Sequence, residues 1–223
     1  IELDDMVKQA GVKPYLHSFY VSPYLEDDKL KAIIIENKSG RSAIKADYFI
    51  DATGDGDLCR DLGLKYKEPS HIQPPTPCAK IYGEHNMGDF NWQQAIIEHG
   101  KEFGLEEDWG WKMTIPELPE VSMYAESHVF DVNCAKADEL TYSEMEGRRK
   151  VRAIMDIARK YGPDNAKPVL LDLASYIGIR ETYHVVGQYR LTEQDILTGK
   201  RFNDAIANGT YRVDIHHDDC AGI

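Results

Sequence analysis

The 223-residue sequence predicts a mixed fold, α+β and α/β in character, on three observations. Residues 12–52 read as a meander of three strands. The last of these, an apolar run from residue 46, breaks into the glycine loop Ala52-Thr53-Gly54-Asp55-Gly56-Asp57. A long amphipathic helix stands in the second half. An apolar strand running into Gly-x-Gly sets nearly bare backbone at the C-terminal end of a sheet, where ligands of α/β folds bind.

Composition narrows the class of function. A hydrophobic content of 42% is enough to bury a core. With 26 basic against 38 acidic residues the net charge is -12, and no Lys/Arg-rich run tracks a phosphate backbone, so no nucleic-acid partner is expected. No apolar run reaches the roughly 18–20 residues that span a bilayer, and no signal-peptide pattern appears, so no membrane partner is expected either. Cys59, Cys78, Cys134 and Cys220 lie far apart without a CxxC pair, which predicts reduced thiols in a cytoplasmic protein. Oligomeric state has no signature. The chain opens at Ile1 without a methionine, yet residues 1–10 already have helical spacing, which suggests a piece cut from a longer protein.

In order, a helix over 1–10 ends at Gly11, and strands follow over 12–21, 29–37 and 42–52, the last two joined at Lys38-Ser39-Gly40. A short helix over 57–62 stops at Gly63. Residues 67–119 hold six of the ten prolines and all three tryptophans, Trp92, Trp109 and Trp111, and read as a second domain with long, fixed loops. Strands are placed there over 78–83, 109–114 and 121–132, and a helix over 92–103. Thr141 and Glu144 have capping-box spacing and open the best helix, over 142–161. Met145, Val151, Ile154, Met155, Ala158 and Tyr161 form its apolar stripe; Glu144/Arg148, Glu146/Lys150 and Asp156/Lys160 read as a solvated face of i,i+4 pairs. Residues 167–189 read as extended. Helices follow over 192–198, capped by Thr192 with Asp195, and over 203–208, before a last strand over 210–217.

The glycine loop matches the dinucleotide fingerprint poorly. Cys59 replaces the third glycine, the helix is short, and Asp55 and Asp57 would repel a pyrophosphate, so the phosphate-loop reading is rejected. Two others stay open: a loop with hard-oxygen ligands at Asp51, Asp55 and Asp57, or a glycine turn with solvated carboxylates. No metal site is assigned.

A meander ending in the segment Ala52-Thr53-Gly54-Asp55-Gly56-Asp57-Leu58 resembles the "ATG" region of FAD-dependent oxidoreductases with the glutathione-reductase-like flavin fold. Thr141-x-x-Glu144-x-x-x-Arg148, Gly178-Ile-Arg-Glu-Thr182, Val186-Gly-x-Tyr189, Leu191-Thr-x-x-Asp195, Arg201-Phe-x-Asp-Ala-Ile206 and Val213-Asp-Ile-His216 look like consecutive signatures of one branch of such enzymes. The resemblance is weakest over 69–119. It implies FAD as cofactor, with Ala52, Thr53, Gly54, Asp55, Gly56, Asp57, Gly178, Arg180 and Glu181 in its binding. It also implies a partial FAD-binding domain over 1–66 with the meander and return strand, an inserted mixed-sheet substrate domain over 67–175, and a return to the FAD-binding domain over 176–223. The family's initial strand-GxGxxG unit and its final Gly-Asp segment are not among these residues. The chain therefore resembles a middle portion, expected to be inactive in isolation and to bind FAD mainly as the full-length protein.

Three side chains are candidates for chemistry. In a strand, Arg180, Thr182 and His184 share one face and Glu181, Tyr183 and Val185 the other. Arg180 suits the negative charge that builds at N1–C2=O of a reduced flavin; its alternative is an ordinary ion pair. Asp214 and His216 share a face, which makes His216 a candidate general acid/base toward a small-molecule substrate, with a satisfied structural histidine as the alternative. His184 completes the catalytic set. Cys59, at a helix start, is a candidate for a lowered pKa. The expected function is hydride transfer between a small organic substrate and flavin. The rivals are a non-catalytic carbohydrate-type binding module using the aromatic middle region, and a metal-assisted hydrolase using Asp55 and Asp57.

Overall fold

In a computed structural model, residues 1–125, 127–210 and 213–217 are described. Cys220, and residues 211–212 of the expected last strand, lie outside them. The chain forms two compact units: Ile1–Lys67 with Val185–Tyr189, and Glu68–His184 with the residues from Arg190 onward.

The first unit opens with α1 (Glu2–Gln9), ended by Gly11 at φ 66°. Its three-stranded antiparallel meander is β1 (Phe19–Glu26), β2 (Lys29–Asn37) and β3 (Gly40–Lys45). The first strand lies later than the expected 12–21. Asp27 and Asp28 both have positive φ, 49° and 57°, so they make a two-residue hairpin turn, and β1 is measured back from that turn. The expected return strand over 46–52 does not form: β3 ends at Lys45, and the following residues belong to no strand. Tyr48 and Ile50 are each 90% exposed. Apolar spacing favours a strand, but a ladder partner holds it, and none lies beside this segment among the described residues. α2 (Asp57–Asp61) follows, with Gly63 at φ 70° just past its end. The Tyr20 hydroxyl donates to Asp61 Oδ2 at 3.2 Å, tying β1 to α2.

The second unit is a four-stranded sheet under a long helix. Its strands are β4 (Ala79–Tyr82), β5 (Trp111–Ile115), β6 (Leu118–Ala125) and β7 (Val169–Leu173), in the order β5-β6-β4-β7. Every pairing is antiparallel, where a mixed sheet was expected; between β5 and β6 a two-residue turn permits only a hairpin. In β4, Ala79 and Ile81 are buried while Lys80 and Tyr82 face out, the period of two of a half-buried sheet.

α3 (Trp92–His99) is capped by Asn91, whose side chain accepts the Gln94 amide at 3.1 Å. α4 (Ala137–Tyr161) supplies Val151, Ile154, Met155, Ile157 and Ala158 to a core shared with Ile81, Trp92 and Tyr124. α4 starts five residues before its expected beginning, so Thr141 is interior and its hydroxyl donates to the Ala137 carbonyl rather than capping. Asp138 and Glu139 occupy the first turn, where negative charge suits the helix dipole.

Only Glu144/Arg148 forms among the three expected ion pairs of α4. Glu146 pairs with Arg149, Asp156 with Arg152 and Arg159, and Lys160 with Glu102. Lys150 is not on a solvated face but 3% exposed, held at its ammonium by the His128 carbonyl and Glu106. Gly147 lets α4 come close to the loop before β4, since a Cβ there would stand 3.0 Å from Pro77 Cβ and 3.2 Å from Ile177 Cδ1.

α5 (Glu193–Leu197) carries the expected capping box between Thr192 and Asp195. The helix expected over 203–208 is reduced to a turn, as one closed turn rarely offsets its nucleation cost. Residues 213–217, within the expected last strand, join no sheet. Residues 180–183 are likewise outside any strand, so the face shared by Arg180, Thr182 and His184 is not realised; the side chains of Glu181 and His184 meet instead.

Candidate functional site

The glycine loop is folded around one carboxylate. Asp51 Oδ1 accepts the Thr53 amide at 3.1 Å and the Thr53 hydroxyl at 2.8 Å, while Oδ2 accepts the Cys59 amide at 3.0 Å. Thr53 Oγ1 in turn accepts the amides of Gly56 and Asp57, both at 3.1 Å. Burial pushes the Asp51 pKa up, but these hydrogen bonds outweigh it and hold the carboxyl below its ordinary value.

Two of the loop amides a phosphate would need are thus committed to Thr53. Gly54 sits at φ 93° with open space where a Cβ would stand, which leaves a bare stretch of backbone. At Gly56, φ 71°, a Cβ would come 2.7 Å from Val185 Cγ2. The Asp57 pKa is raised by burial, with Asp55 and Asp61 adding to it against Arg60. Cys59 departs from expectation: burial and its hydrogen bond to Asp51 raise the thiol pKa, and the adjacent helix of five residues does not reverse this.

In the second unit a polar cluster assembles from distant stretches. Thr76 and Gly178 bridge through paired amides and carbonyls at 3.0 and 2.9 Å. That bridge places Arg180, whose Nη2 donates to Thr76 Oγ1 at 2.7 Å. The Gln73 amide donates to Glu181 Oε2 at 3.0 Å, and Glu181 Oε1 lies 2.6 Å from His184 Nε2. Gln73 Oε1 accepts the His216 amide at 2.9 Å. Arg180, Glu181, His184 and His216 are therefore brought together, through Gln73 and Thr76, which sequence reasoning missed.

His216 is 6% exposed. Its Nε2 lies 3.3 Å from Asp214 Oδ1, at ion-pair distance but off the hydrogen-bond direction, and its Nδ1 has no hydrogen-bond partner among the described residues. Burial first, then the charges of Arg180 and His128, lower its pKa, against the opposing pull of Asp214 and Asp108. Neutral imidazole is the form this site favours at pH 7. Burial also lowers the Arg180 pKa and raises that of the Cys78 thiol. A guanidinium starts so high that Arg180 remains a cation.

His128 was also missed. It is 2% exposed, and its ring lies 4.9 Å from that of His216 at an interplanar angle of 52°. The sequence held one signal for it: a lone histidine among Ser127, Val129 and Phe130 within the strand expected over 121–132, which in the structure ends at Ala125. Trp92 is packed edge-on against Phe90 and Tyr124 in the core, so it is not a ligand platform, whereas Trp111 is half-exposed.

A family model described as FAD dependent oxidoreductase matches residues 2–221. The chain belongs to the FAD dependent oxidoreductase family.

FAD is accordingly the cofactor of this family member. The chain is also similar to a solved structure of a triple mutant of the flavin-dependent brominase Bmp2, with 15% identity and a TM-score of 0.41. That match covers 80% of this chain and 46% of the brominase, so the chain spans about half its length. No curated protein matches this chain. For an FAD dependent oxidoreductase the bare backbone at Gly54 fits a flat or extended cofactor segment, since a Cβ there would occupy the open space. Among the described residues no group of three or more His, Cys, Asp and Glu side chains is placed to hold a metal ion. No helix among them is long and apolar enough to cross a membrane.

Proposed function

We propose that this family member takes part in hydride transfer between a small organic substrate and FAD, with the polar cluster around Arg180 and His216 serving the substrate side. The observation that carries this is a buried histidine, with a ring nitrogen unpartnered among the described residues, beside the Arg180 guanidinium that Thr76 orients. Bound FAD supplies the two-electron acceptor or donor.

In the tautomer that leaves the lone pair of neutral His216 at Nδ1, which has no competing partner among the described residues, the ring can take a proton from a substrate hydroxyl or amine as the adjacent C–H is oxidised. Arg180, oriented by Thr76, stabilises negative charge developing beside it. Glu181 ties the His184 ring to the Gln73 amide and keeps this side of the cluster in one arrangement. In the other unit, the backbone of Ala52, Thr53, Gly54, Asp55, Gly56 and Asp57 contributes to FAD binding, with Gly54 as its open surface.

The test is flavin reduction by substrate in the holoenzyme, followed by stopped-flow absorbance. Arg180→Met should slow reduction by about tenfold, which corresponds to about 1.4 kcal/mol of transition-state stabilisation from an exposed cation. Arg180→Lys should fall between. Reduction at the wild-type rate in Arg180→Met would overturn the assignment.

A further inference from the structure

The cluster contains a second histidine with no role in the function proposed above. Asp108 Oδ1 lies 2.9 Å from His128 Nδ1, and Asp108 Oδ2 accepts the His128 amide at 2.6 Å. An ionised carboxylate can only accept, so Nδ1 carries the proton and Nε2 is left to face inward. That Nε2 is buried and has no partner among the described residues. So is Nδ1 of His216, on a ring 4.9 Å away. Buried orphan ring nitrogens are rare, and two on adjacent rings call for one explanation.

We propose that His128 and His216 act as a proton-handling pair in which His128, held by Asp108, is the positioning residue that sets how strongly His216 holds a proton. The pairing rests on geometry alone; its use in catalysis rests on His216 being the proton-handling residue proposed above.

Charges around the pair bear on that proton. Among the described residues, Asp108 from the loop before β5 and Asp214 beside His216 are the carboxylates that attract it, and Arg180 opposes it. Lys150 on α4, whose ammonium lies 2.8 Å from the His128 carbonyl, is itself paired with Glu106 at 2.5 Å and so adds little net charge. A proton gained at His216 therefore meets a neighbouring ring that Asp108 holds in one tautomer, and a change at His128 is felt there.

The test is a pH titration of the ¹⁵N-labelled protein, read from the ring nitrogens of the histidines. In the wild type, His128 should show protonated Nδ1 at neutral pH. In His128→Gln the midpoint of His216 should move by at least threefold in proton affinity, and the kcat–pH profile of the holoenzyme should move with it. A His216 midpoint unchanged in that variant would overturn the pair. If His128→Gln fails to fold, Asp108→Asn serves: it should move the same midpoint by releasing the His128 tautomer, and an unchanged midpoint has the same force. Full activity in His216→Gln would remove the catalytic reading and leave the titration result standing, so the two failures are distinguishable.

Discussion

Asp108 grips His128 twice, at the ring and at the backbone amide, across twenty residues of sequence. Both side chains are almost wholly enclosed, so neither finds replacement water when the other is removed. Asp108→Ala should therefore cost about 3–5 kcal/mol, the range for breaking a buried charged pair. Asp108→Asn, which keeps one acceptor, should cost clearly less. Urea unfolding of the two variants decides this, and equal losses would refute a specific role for the carboxylate.

Acid should weaken the fold through His216. Its folded pKa is lowered, so the unfolded chain binds more protons below the ordinary histidine value of about 6.5. Stability contributed by keeping the ring neutral is complete above that value and falls as pH drops from there toward the folded pKa. The slope of unfolding free energy against pH between about 6.5 and 5 should shrink in His216→Gln.

Asp51 behaves with the usual carboxylate sign. Its lowered folded pKa gives stability that is present above the ordinary value of about 3.9 and lost as pH falls through the folded pKa. Asp51→Ala also frees the Thr53 and Cys59 amides, so amide hydrogen exchange across residues 53–59 should quicken. Protection left unchanged would contradict the anchoring role.

The Cys59 thiol should alkylate more slowly than a free model thiol at pH 7.5, because its pKa is raised by burial and by Asp51. Asp51→Asn should quicken it. The comparison requires intact-mass kinetics with the labelled site mapped.

Gly162 closes α4 without a positive φ, and a Cβ there would meet the Ala158 carbonyl oxygen at 2.3 Å and Met87 Cε at 2.6 Å. One of those contacts is backbone and cannot swing aside. Gly162→Ala should cost about 1–3 kcal/mol, as overpacking does, visible as a lowered thermal midpoint. The same substitution at exposed Gly11 should show the smaller penalty of a strained φ without a clash.

What could be read in the sequence was local. The Thr192/Asp195 box, the extent of β2 and the end of α2 at Gly63 depend on residues within a few positions, and they appear as expected. What failed depended on distant partners. The apolar residues of 46–52 implied a strand, but no neighbouring ladder holds one. Lys150 had the spacing of a surface ion pair, yet the His128 carbonyl drew it inward. Arg180, Glu181, His184 and His216 were named from the sequence, while Gln73, Thr76, Asp108 and His128 were not. The first two supply links across more than a hundred residues, and the last two meet only once β5 and β6 have folded into a hairpin.

Gly147 has a further effect through its neighbours. The proline it admits, Pro77, follows Thr76, whose hydroxyl receives the guanidinium of Arg180. A methyl group added to the middle of α4 would press first on that proline, and the displacement would pass through one peptide unit to the partner of the cation. The electrostatics of the cluster thus depend on a hydrogen atom of α4 that touches none of the charged groups.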